Sequence, residues 1–173
     1  MCNCNKYRDD KLHHECGVLG IYGVDDAAGL AYYGLHALQH RGQQGCGIVT
    51  VGPSGEFHRV KGDGLVSEVF NEQKMGKLPG RMAIGHVRYS NAGCKGTENI
   101  QPFLFHHNSG DFAMANNGQI VNYSQLREEL EDRGSLFQSS SDAEVLAHLI
   151  KKQKVAKDQP RIIALKEALN LLE

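Results

Sequence analysis

No apolar run in this sequence approaches the roughly 18 residues that a membrane span requires, and the N-terminus lacks the apolar segment of a secretory signal. An excess of charge of one sign is also missing. Charged residues make up 23% of the 173 and the net charge is −1, so no electrostatic footprint for nucleic acid or an anionic membrane is visible. The five cysteines (Cys2, Cys4, Cys16, Cys46 and Cys94) are odd in number and irregular in spacing, a poor disulfide framework. Cys2 and Cys4, with His13 and His14, lack the paired spacing of a zinc module, so no metal site is expected. The sequence contains no GxGxxG, P-loop or HExxH motif, no internal repeat and no low-complexity segment. These absences leave a cytoplasmic protein with reduced thiols, long enough for one domain with a real core.

The pattern that is present runs strands, a helix, several strands, then helices. Residues 16–22 read as a buried strand bounded by Gly23. Ala27 to His40 reads as a helix with an apolar face at Leu30, Tyr33, Ala37 and Leu38, ending at Arg41-Gly42. Residues 46–51 and 56–61 flank Gly52-Pro53-Ser54-Gly55 as a hairpin. A turn at 61–64 leads into a short helix near Val66 to Phe70, Leu78-Pro79-Gly80 breaks the chain, and Met82 to Tyr89 is the next strand. Phe103 to His106 and Phe112 to Ala115 form a second hairpin. Asn117-Gly118 signals a tight turn, because both residues tolerate positive φ. Asn122 with Gln125 and Ser141 with Glu144 resemble capping boxes opening two helices, the first closed by Gly134. Pro160 suits the start of a last helix, after a polar connector at 151–159. Short links between strands favour antiparallel pairing, which makes the class α+β.

Cys16 opens the first strand, behind fifteen polar and charged residues that read as a leader, 1–15, to be removed. With the leader gone, one residue would hold both a thiol, of ordinary pKa about 8.5, and an α-amine near 7.7–8.0. That amine can take the thiol proton, as in other N-terminal nucleophiles. While the leader is attached the nitrogen is an amide and cannot serve as base. A small buried cysteine opening a core strand is the alternative.

Six stretches in order resemble the glutaminase domain of the amidophosphoribosyltransferase family: 16–20 (CGVLG), 38–43 (LQHRGQ), 85–90 (GHVRYS), 98–103 (ENIQPF), 117–118 (NG) and 141–148 (SDAEVLAH). The resemblance runs from Cys16 to about residue 150. That family belongs to the N-terminal-nucleophile, class II glutamine amidotransferase type. It implies a four-layer αββα sandwich of two antiparallel sheets between helical layers, with 16–173 as a glutaminase domain lacking its last strands. The glucosamine-6-phosphate synthase class shares the cysteine start but is less similar at 38–43 and 85–90. An inert fragment or interaction module with this fold is a further alternative.

The resemblance implies roles residue by residue. Cys16 would attack the side-chain amide of glutamine, giving a thioester and ammonia. Asn117, through its side chain, and Gly118, through its N–H, would hold the oxyanion; the alternative is an ordinary turn. Arg88 would clamp the substrate α-carboxylate, a task suited to a planar fork of donors, or else be a surface arginine at a strand end. Asp142 would bind the α-ammonium; a helix-start carboxylate favoured by the macrodipole is a compatible reading. Gly42 would line the site through its backbone or serve as a helix C-cap. The family usually has Thr at the position of Asn91, beside the carboxylate, where weaker or altered binding follows. It usually has His at Asn116 and Glu at Gln44. No cofactor is implied within this chain. Magnesium, phosphoribosyl pyrophosphate and an iron–sulfur cluster belong to a downstream phosphoribosyltransferase part, and the full-length protein would be a homo-oligomer supplying ammonia for the first step of purine biosynthesis.

Overall fold

The computed structural model describes residues 16–89, 97–107, 110–153 and 161–172. The leader at 1–15, Asn91 and most of the 151–159 connector lie outside the described residues. The chain divides into two compact units, one ending at Asn117 and the other beginning at Gly118. Its class is α+β, with two antiparallel sheets.

In the first unit, β1 (Gly17–Tyr22), β4 (Met82–Arg88), β2 (Gly45–Val51) and β3 (Phe57–Asp63) form one sheet in the order β1-β4-β2-β3, every pair antiparallel. β2 and β3 are the expected hairpin around 52–55. The second hairpin is the two-stranded sheet of β5 (Phe103–Phe105) and β6 (Phe112–Met114). Between β3 and β4 the chain makes two one-turn helices, α2 (Val66–Val69) and α3 (Glu72–Met75). The second of these had no signal in the sequence beyond Asn71, whose side chain caps it.

Helix α1 (Ala27–Ala37) packs on one face of this sheet, but not with the expected stripe. Leu30 and Tyr33 are exposed, and the buried residues are Ala27, Ala28, Ala31 and Leu35. Small residues win this face because the helix lies close. A Cβ on Gly34 would sit 2.7 Å from Leu19 Cδ2, and one on Gly85 about 3.1 Å from Leu35. Larger side chains on such a face would overpack the contact. Leu35 fills the remaining space and is fully buried beside Ile48, Cys46 and Val87. β1 also departs from the expected buried strand. As an edge strand it alternates, with Val18 and Tyr22 on its exposed face.

The second unit is helical: α4 (Tyr123–Asp132), α5 (Asp142–Lys152) and α6 (Arg161–Leu169). Leu126 and Leu130 face inward on α4, four apart as a helix face requires. Gly134, at φ +82°, ends α4. Its N–H bonds to Glu131 and that of Ser135 to Leu130, the paired bonds of a Schellman motif. Neither expected capping box forms. Asn122 makes no side-chain cap and its amide donates to the Leu171 carbonyl. Ser141 does cap α5, but the Glu144 carboxylate turns to residues 138 and 139 instead of the Ser141 N–H. Asn117-Gly118 is no left-handed turn either, since neither residue has positive φ.

Candidate functional site

Cys16 stands immediately before β1, whose pairing with β4 sets it beside the end of that strand. Its Sγ accepts a hydrogen bond from the Tyr89 N–H at 3.3 Å and lies 3.6 Å from the Tyr89 carbonyl. The two contacts hold the sulfur against the Tyr89 backbone. From the other side Arg41 Nε donates to the Cys16 carbonyl at 3.1 Å. Arg41 is carried there by a 3₁₀ turn, Gln39–Arg41, that follows α1. Gln39 fixes this turn: its Nε2 donates to the Gly42 carbonyl and its Oε1 accepts from the Val66 N–H at 2.7 Å.

Gly42 then passes flat against the end of β4. A Cβ there would lie 2.6 Å from the Arg88 carbonyl carbon and 2.8 Å from that of Val87. Its backbone is extended, at φ −160°, so close approach and not a left-handed C-cap is what requires glycine. The Gln44 N–H bonds to the Arg88 carbonyl at 3.1 Å, continuing the contact. Arg88 itself is buried at the last position of β4 and is no surface arginine. Cys16, Gly42 and Arg88 are thus brought together.

The face of β4 that carries Arg88 also carries His86, which is fully buried. The residues paired with these two on β2 are Gly45 and Gly47. Lacking side chains, they admit the chain that leads into β5: a Cβ on Gly47 would meet the Gln101 carbonyl at 2.4 Å, and one on Gly45 the Ile100 side chain at 2.8 Å. Gln101 is buried and its Oε1 accepts from the Asn116 N–H at 2.7 Å. Burial, and then the Arg88 charge, push the His86 imidazole down to about 4, so it is neutral at pH 7. Asn117 follows, exposed, as the last residue of this unit.

In the second unit Gly118 is exposed and Asp142 opens α5. Asp142 Oδ2 accepts from the Ile120 N–H at 2.9 Å, which ties the segment after Gly118 to the start of the helix. Among the described residues no group of three or more His, Cys, Asp or Glu could hold a metal ion, and no helix is long and apolar enough to cross a membrane. Arg41, the Tyr89 N–H, His86 and Gln101 escaped the sequence reading. Each stands inside one of the six family-like stretches (Tyr89 beside Arg88, Arg41 beside Gly42), and that proximity is the signal the sequence holds.

The glutamine amidotransferase domain family matches residues 73–158. Amidophosphoribosyltransferase of Lacticaseibacillus casei is 51% identical over 160 residues, which are 92% of this chain and 80% of that protein. The chain belongs to the amidophosphoribosyltransferase family. Amidophosphoribosyltransferase 1, chloroplastic, of Arabidopsis thaliana is 53% identical over 159 residues, 92% of this chain and 28% of that protein. A solved structure of "the allosteric regulatory enzyme of purine biosynthesis" superposes with a TM-score of 0.83 at 48% identity, covering 90% of this chain and 33% of that one. The chain therefore spans about a third of the length of most of these relatives and carries the family's glutamine amidotransferase domain. Membership of this family decides against the glucosamine-6-phosphate synthase class.

Proposed function

We propose that this chain is the glutaminase part of an amidophosphoribosyltransferase, which releases ammonia from glutamine for 5-phosphoribosylamine synthesis. The observation that carries the reading is the held thiol: Cys16 Sγ takes an N–H from Tyr89 while Arg41 holds the Cys16 carbonyl, next to Arg88. In this reading removal of residues 1–15 frees the Cys16 amine, which accepts the thiol proton. The thiolate attacks the side-chain amide carbon of glutamine. Asn117 Nδ2 and the Gly118 N–H donate to the oxyanion that forms, each donor supplying about 2.7–4 kcal/mol of transition-state stabilisation. Collapse breaks the C–N bond. The α-ammonium of Cys16 returns its proton to the nitrogen, ammonia leaves, and a thioester remains for water to hydrolyse to glutamate. Arg88 takes the substrate α-carboxylate, Asp142 the α-ammonium, and Gly42 presents backbone to the substrate. A reducing compartment such as the cytoplasm suits a catalytic thiol. The phosphoribosyl pyrophosphate step, its magnesium and homo-oligomeric assembly are assigned to the full-length protein.

The test is Cys16→Ala in the full-length protein. Glutamine-dependent synthesis is lost and ammonia-dependent synthesis is kept; retained glutamine hydrolysis would overturn the reading. Intact mass with a diazoketone analogue of glutamine gives the companion result, loss of residues 1–15 and one adduct on Cys16.

A further inference from the structure

Within the second unit, two carboxylates of the first turn of α5 serve different chain segments. Asp142 reaches Ile120. Glu144 is 3% exposed and faces the turn that precedes the helix. Its Oε1 accepts from the Gln138 N–H at 2.9 Å, and its Oε2 from both the Ser139 N–H at 2.7 Å and the Ser139 hydroxyl at 2.6 Å. The Ser139 Oγ in turn accepts from the Ser141 N–H at 3.3 Å. Arg127, stacked 4.2 Å over the Phe137 ring, donates to the Ser139 carbonyl, and the Tyr123 hydroxyl donates to that of Ser140. Residues 137–141 are therefore pinned along their length, with a buried carboxylate at the centre. A capping carboxylate would spend itself on the Ser141 N–H; this one is turned inward instead.

We infer that Glu144 is a positioning residue for glutamine binding, fixing the 138–141 turn so that Asp142 holds the Gly118–Ile120 segment with one oxygen and keeps the other for the substrate ammonium. The inference rests on the glutaminase reading above. The Cα of Asp142 is placed by the turn before it and by the helix behind it, and Glu144 ties the two together through three hydrogen bonds to one carboxylate. Such charge-assisted bonds are about twice as strong as neutral ones. Loosening the turn frees the Asp142 carboxylate and, through Ile120, the segment that begins at the oxyanion donor Gly118, so substrate binding suffers most and turnover follows it.

Glu144→Gln in the full-length protein keeps the side-chain volume but presents an NH₂ group to N–H donors. KM for glutamine hydrolysis rises about tenfold, the equivalent of one hydrogen bond to a charged group, and kcat falls by less than that. Asp142→Asn raises KM as well, and the double variant is no worse than Asp142→Asn alone. Ser139→Ala, which removes one of the three donors, raises KM less. An unchanged KM in Glu144→Gln, a loss confined to kcat, or effects of Glu144 and Asp142 that simply multiply would each overturn the inference. Should Glu144→Gln not fold, Ser139→Ala decides alone: a raised KM supports the inference and an unchanged one overturns it. If the parent hydrolyses no glutamine and takes no diazoketone adduct, the glutaminase reading fails. Hydrogen exchange at the Ile120 N–H then still tests the brace, being faster in Glu144→Gln if the inference holds and unchanged if it does not.

Discussion

Acid should unfold the first unit of this chain through His86. The imidazole is fully buried, neither ring nitrogen makes a well-formed hydrogen bond among the described residues, and the Arg88 charge acts on it. Burial is the larger cause of its depressed pKa and the Arg88 charge the second, with the Asn116 backbone working the other way. The ordinary value is 6.5 and the folded value about 4. Between those limits the unfolded chain binds a proton that the native chain refuses, so stability rises with pH across the window. The contribution is whole above pH 6.5 and is lost as the pH falls toward 4. Its full size is about 3 kcal/mol, a large share of a typical 5–15 kcal/mol. The assay is urea unfolding at half-unit steps from pH 7 to pH 4, on the parent and on His86→Phe. Carboxylates titrate in both proteins, as does His148, which burial also depresses. They cancel in the comparison. The parent should lose about 3 kcal/mol more than the variant over this range. Parallel pH profiles would refute the reasoning, because they would mean that His86 is protonated, or already partnered, in the native state.

Gly42→Ala places a methyl 2.6 Å from the Arg88 backbone, and the overpacking should cost about 1–3 kcal/mol in melting experiments and raise KM for glutamine. Arg41→Met keeps the aliphatic stem but loses the donor to the Cys16 carbonyl; kcat for glutamine hydrolysis should fall about tenfold, read in steady-state assays. Burial pushes the Cys46 thiol up to about 12, so iodoacetamide at pH 8, followed by peptide mapping, should label Cys16 in the native chain and Cys46 only after denaturation. Leu35→Ala should destabilise by about 2–5 kcal/mol, since the side chain is fully buried between α1 and the sheet.

Strands and hairpins were legible because period-two patterning and turn residues act locally. The 52–55 turn sits between β2 and β3 as the Gly-Pro-Ser-Gly run dictates. Helix α1 shows where local reading stops. Its apolar residues Leu30 and Tyr33 advertise a face that the fold leaves exposed, while alanines and a glycine make the contact because interhelix-to-sheet distance, a tertiary quantity, selects small side chains. Asn117-Gly118 misled in the same way: a sequence that permits positive φ does not compel it. The Ser141–Glu144 spacing fits a capping box, yet Glu144 found three donors in a turn five and six residues away. Cys16, Arg88 and Gly42 were named from the resemblance, but the reason for Gly42 emerges only from the backbone it lies against.

The strand that unites these observations is β4. Its Ala83, Gly85 and Val87 turn toward α1: Ala83 and Val87 belong to the core cluster, and Gly85 takes the Leu35 side chain. Ile84, His86 and Arg88 turn to the opposite face, where Ile84 lines an apolar cavity of about 310 Å³ and His86 and Arg88 stand opposite two glycines. Two-residue alternation thus separates core packing from the candidate site on a single strand. A slip of one residue would bury Arg88 against the helix and send Val87 to the site, so every core contact of β4 also enforces the site's register. Cys16 inherits that register through the pairing of β1 with β4, from Gly17 against Val87 to Tyr22 against Met82. The thiol meets the Tyr89 N–H because six strand pairs in sequence leave it no other place. Placement of the proposed nucleophile by a ladder, rather than by a flexible loop, is what lets one backbone N–H be aimed at its sulfur in advance of any substrate.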